Sequence, residues 1–292
     1  MNSLRRLRQR ALAAALAASA SLAAAQVSIT DDRGVTVRLA APPQRIVSLV
    51  PSLTETVCEL GACERIVGTD RYANWPVSVR ALPKLGGLED TQVERLVSLK
   101  PDLVLLARSS RALDRLQALG LPVLALEPQD WAGTLRVVGQ LADLLGTPAA
   151  GRQLALRINE RITAAALRVP PAWRGRTVYV EVASTPYAAG DASFVGEVLR
   201  RLGLANSVPA ALGPFPQLNP EFVLRAQPAL IVATQAAVRE MAGRPGWPQL
   251  KALQLRHTCG LSPEPWDALV RPGPRLAEAA EALAACLEGL AP

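Results

Sequence analysis

Residues 148–168 read PAAGRQLALRINERITAAALR, a run with no strand character at all. Leu154, Ile158, Ile162 and Ala165 recur at helical spacing on one face, with charges elsewhere, for about five uninterrupted turns. On either side of this helix the pattern changes to short β-forming runs alternating with helical stretches, which implies parallel strands with crossover helices. The chain therefore reads as an α/β lobe, a long helix and a second α/β lobe. The expected boundaries are 26–147, 148–170 and 171–292, behind an export segment at 1–25.

The first lobe opens with a hairpin pattern, VSITDDRGVTVRLA, with Arg33 and Gly34 at the turn. Ile46 to Val50 then form an apolar run suited to a buried parallel strand, stopped by Pro51. Ser52 or Thr54 is the expected cap of the next helix, which Gly61 ends, and ERIVGTD supplies a second strand. Helices are expected near 91–100, over 111–119 and over 132–145, with strands at 102–106 and 122–126. After the long helix come a strand at 177–182, a helix over 193–202, a helix at Glu221, a strand at 229–233 and a final helix over 274–289.

The first 25 residues carry Arg5, Arg6, Arg8 and Arg10, then a small-residue apolar stretch ending at Ala23 and Ala25, the form of a secretory signal peptide. Cleavage is expected before Gln26; no cysteine follows the site to carry a lipid anchor. Losing those four arginines lowers the formal charge from +7 to +3. With no basic run left and only 4% aromatic residues, the composition argues against nucleic-acid binding. The expectation is an exported protein of the bacterial periplasm, monomeric and without a membrane span.

Four cysteines remain, Cys58, Cys63, Cys259 and Cys286, and an oxidising compartment permits three full pairings among them. Cys58 and Cys63 would stand about 7.5 Å apart along a continuous helix. Gly61 can end that helix and fold the chain back, while Cys259 with Cys286 would tie a late loop to the last helix. Free buried thiols are the alternative. The spacings match no zinc pattern and the single histidine is His257, so no metal site is expected in the protein. No G-x-S-x-G, H-E-x-x-H, P-loop or G-x-G-x-x-G is present, which argues against an enzyme.

One element occurs twice. QVERLVSLKPDLVLL at 92–106 and NPEFVLRAQPALIVA at 219–233 each place a glutamate, Glu94 or Glu221, seven residues before a proline and a run of β-formers. Thr91 with Glu94 has the spacing of a capping box, and Asn219 with Pro220 suits the first two positions of a helix. A first-turn glutamate is favoured by roughly 0.3–1 kcal/mol, so capping alone accounts for both.

These elements, with the opening DDRGVTVRLAAPPQRIVSLVPSLTETVCELGACERIVGTDRY and the long helix, resemble the periplasmic binding proteins of ABC importers for vitamin B12 and ferric siderophores, most closely on the vitamin B12 side. The resemblance covers nearly all of the chain after residue 25. It implies two Rossmann-like lobes on one rigid helix, a ligand cleft between them and no covalent chemistry. It also implies that Glu94 and Glu221 dock, one per lobe, with the membrane subunits of an importer. The ligand implied is a cobalamin or cobinamide, a metal chelate that brings its own metal, held by Tyr72, Tyr187 and Phe215, with Trp75 and Trp266 nearby. Where the vitamin B12 pattern has tryptophans this chain reads LGGLED and LLARSS. A ferric siderophore or haem is the alternative ligand; an anionic siderophore complex would call on Arg71, Arg108 and Arg111.

Overall fold

A computed structural model describes residues 27–184 and 186–291. The expected export segment lies outside the described residues. Strands β1 (Val27–Thr30) and β2 (Thr36–Leu39) form the antiparallel hairpin, turned at Gly34 with φ +80°. Four parallel strands follow: β3 (Ile46–Ser48), β4 (Ile66–Thr69), β5 (Leu103–Leu106) and β6 (Val123–Ala125), in the order β4-β3-β5-β6. Every residue of β3 and β5, the two central strands, is buried, which is why both read as unbroken apolar runs.

The crossover helices are α1 (Pro51–Glu59), α2 (Val93–Ser98) and α3 (Leu113–Ala118), and α4 (Trp131–Leu145) leads out of the lobe. Two expected caps do not form. Pro51 is itself the first residue of α1, leaving Ser52 and Thr54 inside the helix, where the Thr54 hydroxyl donates to Ser48 Oγ at 2.9 Å. Helix α2 starts at Val93, and the Thr91 hydroxyl donates to the Gly87 carbonyl at 2.7 Å instead of capping it. The helix ends early because Lys100 turns left-handed, φ +48°, before Pro101.

Helix α5 (Pro148–Arg168) is the 21-residue linker, about 32 Å long. Its buried positions are Gly151, Leu154, Ile158, Ile162 and Ala165, so the face read from spacing is the one that packs. A Cβ on Gly151 would stand 2.4 Å from Ala142 Cβ, so a side chain there would push α5 off α4. On the other flank lies α11 (Leu276–Glu288). Arg161 and Arg168 form bidentate pairs with Glu281 and Glu288, an advance of seven residues on both helices, so α5 and α11 run parallel. One hydrophobic core runs through α4, α5 and α11 and joins residues of both lobes.

The second lobe holds β7 (Thr177–Ala183), β8 (Tyr187–Ala188), β9 (Ala205–Asn206), β10 (Leu230–Thr234) and β11 (Thr258–Leu261). Its sheet runs β11-β10-β7-β8, with β9 also on β7; the β7–β8 pairing is antiparallel and the others are parallel. Helices α6 (Phe194–Arg201) and α7 (Pro220–Ala226) fall where expected, and Asn219 accepts from the Glu221 N–H as the N-cap. Helices α8 (Gln235–Met241), α9 (Lys251–Gln254) and α10 (Pro263–Val270) were not expected, nor were β8, β9 and β11. The extra strands have two to four residues, too few to show a period, and the two prolines of PEPWDALV disguise α10.

Both disulfides form. Gly61, φ +82°, turns the chain so that Cys63 returns to Cys58. Cys259 lies in strand β11, not a loop, and is tied there to Cys286 of α11.

Candidate ligand cleft between the lobes

The C-terminal ends of all four first-lobe strands open onto one cleft of about 480 Å³. Leu49 to Ser52 follow β3, Asp70 and Tyr72 follow β4, Ala107 follows β5, and Leu126 to Gln129 follow β6. Carboxyl ends of parallel strands are where open α/β sheets hold ligands. The second lobe contributes Val182, Phe194, Phe215, Val270 and Pro272, with the Phe194 and Phe215 rings 5.3 Å apart, and Gly87 and Leu88 form a lip. The lining is mainly apolar, and the volume falls in the range of about 300–1,000 Å³ usual for small-molecule sites.

Two acidic residues, Asp70 and Glu127, line this apolar space, and among the described residues no lysine, arginine or histidine lines it. Glu127 accepts from the Ser109 N–H at 3.1 Å and its hydroxyl at 3.0 Å. Asp70 is 1% exposed; Oδ2 accepts from the Tyr72 N–H at 2.8 Å, and Oδ1 has no hydrogen-bond partner. Burial pushes the Asp70 carboxyl above its ordinary range, against the pull of the Tyr72 N–H.

Behind the Tyr72 turn, Arg271 joins the lobes. It donates to Glu55 Oε1 at 2.6 Å, Asn74 Oδ1 at 2.9 Å and the Tyr72 carbonyl at 3.2 Å, and pairs with Asp267 at 2.9 Å. Arg275 stands 3.7 Å from the same Glu55 oxygen. Burial pushes the Glu55 carboxyl up to about 7 despite both guanidiniums.

Of the five aromatic candidates, Tyr72 and Phe215 line the cleft. The Arg275 guanidinium lies over the Trp75 ring, 5.0 Å from the ring centroid; Trp266 packs on the core from α10; Tyr187, in β8, forms a backbone bridge with Gln217. None of these three is in the cleft lining. His257 packs edge-on against Trp173 at 5.0 Å, also outside the lining. Asp70, Leu88, Glu127 and Phe194 also line the cleft, and Arg271 stands behind it, though no sequence motif singles them out. The one signal for Asp70 was its place at the end of a parallel strand, two residues before Tyr72.

The glutamates are exposed, with side chains 75% and 71% accessible, and each meets an arginine of its own lobe: Glu94 pairs with Arg115, and Glu221 stands 3.6 Å from Arg225. Its own backbone N–H and the Arg115 guanidinium hold the Glu94 carboxyl below its usual range. The offset of 127 residues between these glutamates also separates Leu88 from Phe215, so each lobe sends one cleft residue six positions ahead of its glutamate. Arg71 pairs with Asp90 and Arg111 with Glu89. Arg108 lines an adjoining concavity with Ser109, Glu127 and Gln129.

Among the described residues no three His, Cys, Asp or Glu side chains form a metal-binding group, and no helix is long and apolar enough to cross a membrane. Two α/β lobes on one helix, enclosing an apolar cleft, are the architecture of a solute-binding protein of the ABC-importer class. The chain belongs to the periplasmic binding protein family, whose model matches residues 46–265. It is 27% identical over 269 residues to an uncharacterized ABC transporter substrate-binding lipoprotein of Bacillus subtilis (strain 168), covering 88% of this chain and 84% of that one. It is 27% identical over 195 residues to the vitamin B12-binding protein of Yersinia pestis (strain Pestoides F), covering 65% and 69%. The apo periplasmic heme-binding protein RhuT from Roseiflexus sp. RS-1 superimposes with a TM-score of 0.71 at 26% identity, over 84% of this chain and 98% of that one.

Proposed function

We propose that the protein is an exported, periplasmic, monomeric binding protein that captures a corrinoid, vitamin B12 or cobinamide, and delivers it to an ABC importer without catalysing a reaction. The observation that carries this is the cleft itself. Tyr72 from one lobe and Phe215 from the other face an apolar space free of lining arginines, suited to a flat macrocycle whose metal is already coordinated. The arginines an anionic chelate would need are spoken for: Arg71 and Arg111 are paired with carboxylates, which leaves Arg108 in the adjoining concavity. Glu94 and Glu221 are read as the docking contacts with the two membrane subunits. Each follows a cleft residue of its own lobe, Leu88 or Phe215, by six positions. Charge pairs at such a rim act chiefly on orientation and encounter rate.

Haem is the second reading, favoured by the Tyr72 side chain, 63% exposed at the cleft with the Arg71 guanidinium 5.9 Å from its ring. Isothermal titration of residues 26–292 with cyanocobalamin, cobinamide, a ferric siderophore and haemin separates the two. Submicromolar one-to-one corrinoid binding is expected; silence with corrinoids and heat with an iron complex shifts the assignment to that complex.

A further inference from the structure

Among the described residues that line the cleft, Asp70 has a buried side-chain oxygen that the protein leaves unsatisfied. Asp70 Oδ1 is buried without a partner, while its sister oxygen is used by the Tyr72 N–H. Leaving a buried acceptor unpaired is unfavourable, so the site gains when an incoming group donates to it. The nearest cations do not fill the role: Lys84 donates to Thr69 Oγ1 and to the carbonyls of Ala73 and Val79, and Arg271 is spent on Glu55, Asn74, Asp267 and the Tyr72 carbonyl. The other lining carboxylate, Glu127, already accepts two hydrogen bonds from Ser109.

We propose that Asp70 is a specificity-determining residue that selects ligands whose polar rim donates N–H, carboxamides above all, and rejects macrocycles rimmed by carboxylates. This rests on the cleft being the ligand site, as read above, and adds the chemistry of the ligand's edge. A carboxylate brought to this end of the cleft meets a second carboxylate in an apolar setting, with no lining arginine or lysine to neutralise it. An amide N–H meets an acceptor already fixed by the Tyr72 turn. Burial raises the Asp70 pKa against the charges of Arg271 and Lys84, neither of which donates a hydrogen bond to Oδ1.

The test uses matched pairs that differ only at the rim: cobinamide against cobyrinic acid, and the diamide of haem against haemin. Each is titrated into the wild type, D70N and D70A, with thermal unfolding to confirm that the variants fold. The wild type should prefer the amide member by about tenfold or more, the ratio one charge-assisted hydrogen bond supports. D70N, which keeps the shape and removes the charge, and D70A should both shrink that preference to about threefold or less. Equal binding of the two members by the wild type, or an unchanged preference in both variants, overturns the inference. Amide preference on the porphyrin pair alone refutes the corrinoid reading and keeps this one; corrinoid binding with no amide preference does the reverse. No binding of either amide refutes both.

Discussion

Replacing Arg271 by methionine removes the group that ties the second lobe to the back of the cleft. The Arg271 side chain is 11% exposed and its partner Glu55 only 1%, so the lost pair is a buried one. Breaking such a pair from one side leaves an uncompensated charge and typically costs about 3–5 kcal/mol. Arg275 still stands 3.7 Å from the Glu55 carboxylate, which places this case near the low end, about 3 kcal/mol. The cost comes from Glu55 being ionised, so it should shrink at pH 5, where a carboxyl with a pKa near 7 holds its proton. Guanidinium unfolding of the wild type, R271M, E55Q and the double variant, at pH 8 and pH 5, measures all of this. The double variant should recover more than half of the R271M loss at pH 8. Losses that add within about 0.5 kcal/mol, or an R271M loss unchanged between the two pH values, would refute the reasoning.

The same carboxyl sets a pH dependence in the wild type: between about 4.5 and 7 the folded state binds more protons at Glu55 than the unfolded state does, so its contribution falls as pH rises. The stability difference between wild type and E55Q should therefore drift by up to about 3 kcal/mol across that window, in the sense that wild type loses ground, as read by denaturation at stepped pH. Removing the disulfide with the 27-residue separation, C259A/C286A, should cost about 3–4 kcal/mol, and C58A/C63A, with a separation of 5, about 2; calorimetry giving the reverse order would show that loop closure is not the main effect. E94A/E221A should keep ligand affinity within about twofold and lose most transport in reconstituted vesicles; loss of ligand binding with unchanged docking would sink the docking role. Solution scattering with and without ligand should show almost no change in radius of gyration, because α5 is packed on both flanks; a change of several ångströms would show that the lobes hinge.

Features with a local period were legible along the chain. Strands β3 and β5 were legible as unbroken apolar runs because both their faces are covered, and the buried face of α5 was legible residue by residue because one helix repeats every 3.6 positions. The Asn219 cap was legible from its neighbours, whereas the Thr91 capping box failed because the Thr91 hydroxyl is committed to the Gly87 carbonyl in a turn that no spacing rule describes. Aromatic residues in strand-end loops pointed to the cleft for Tyr72 and Phe215 but not for Trp75, Tyr187 and Trp266, since type and loop position do not say which way a side chain faces. What meets across the gap was set by the packing of the lobes. Glu55 and Arg271 are 216 residues apart, and Asp70 is left with a bare oxygen because the nearby cations are drawn elsewhere. Those are long-range contacts, and they follow from how two lobes pack on one helix rather than from any pattern within a lobe.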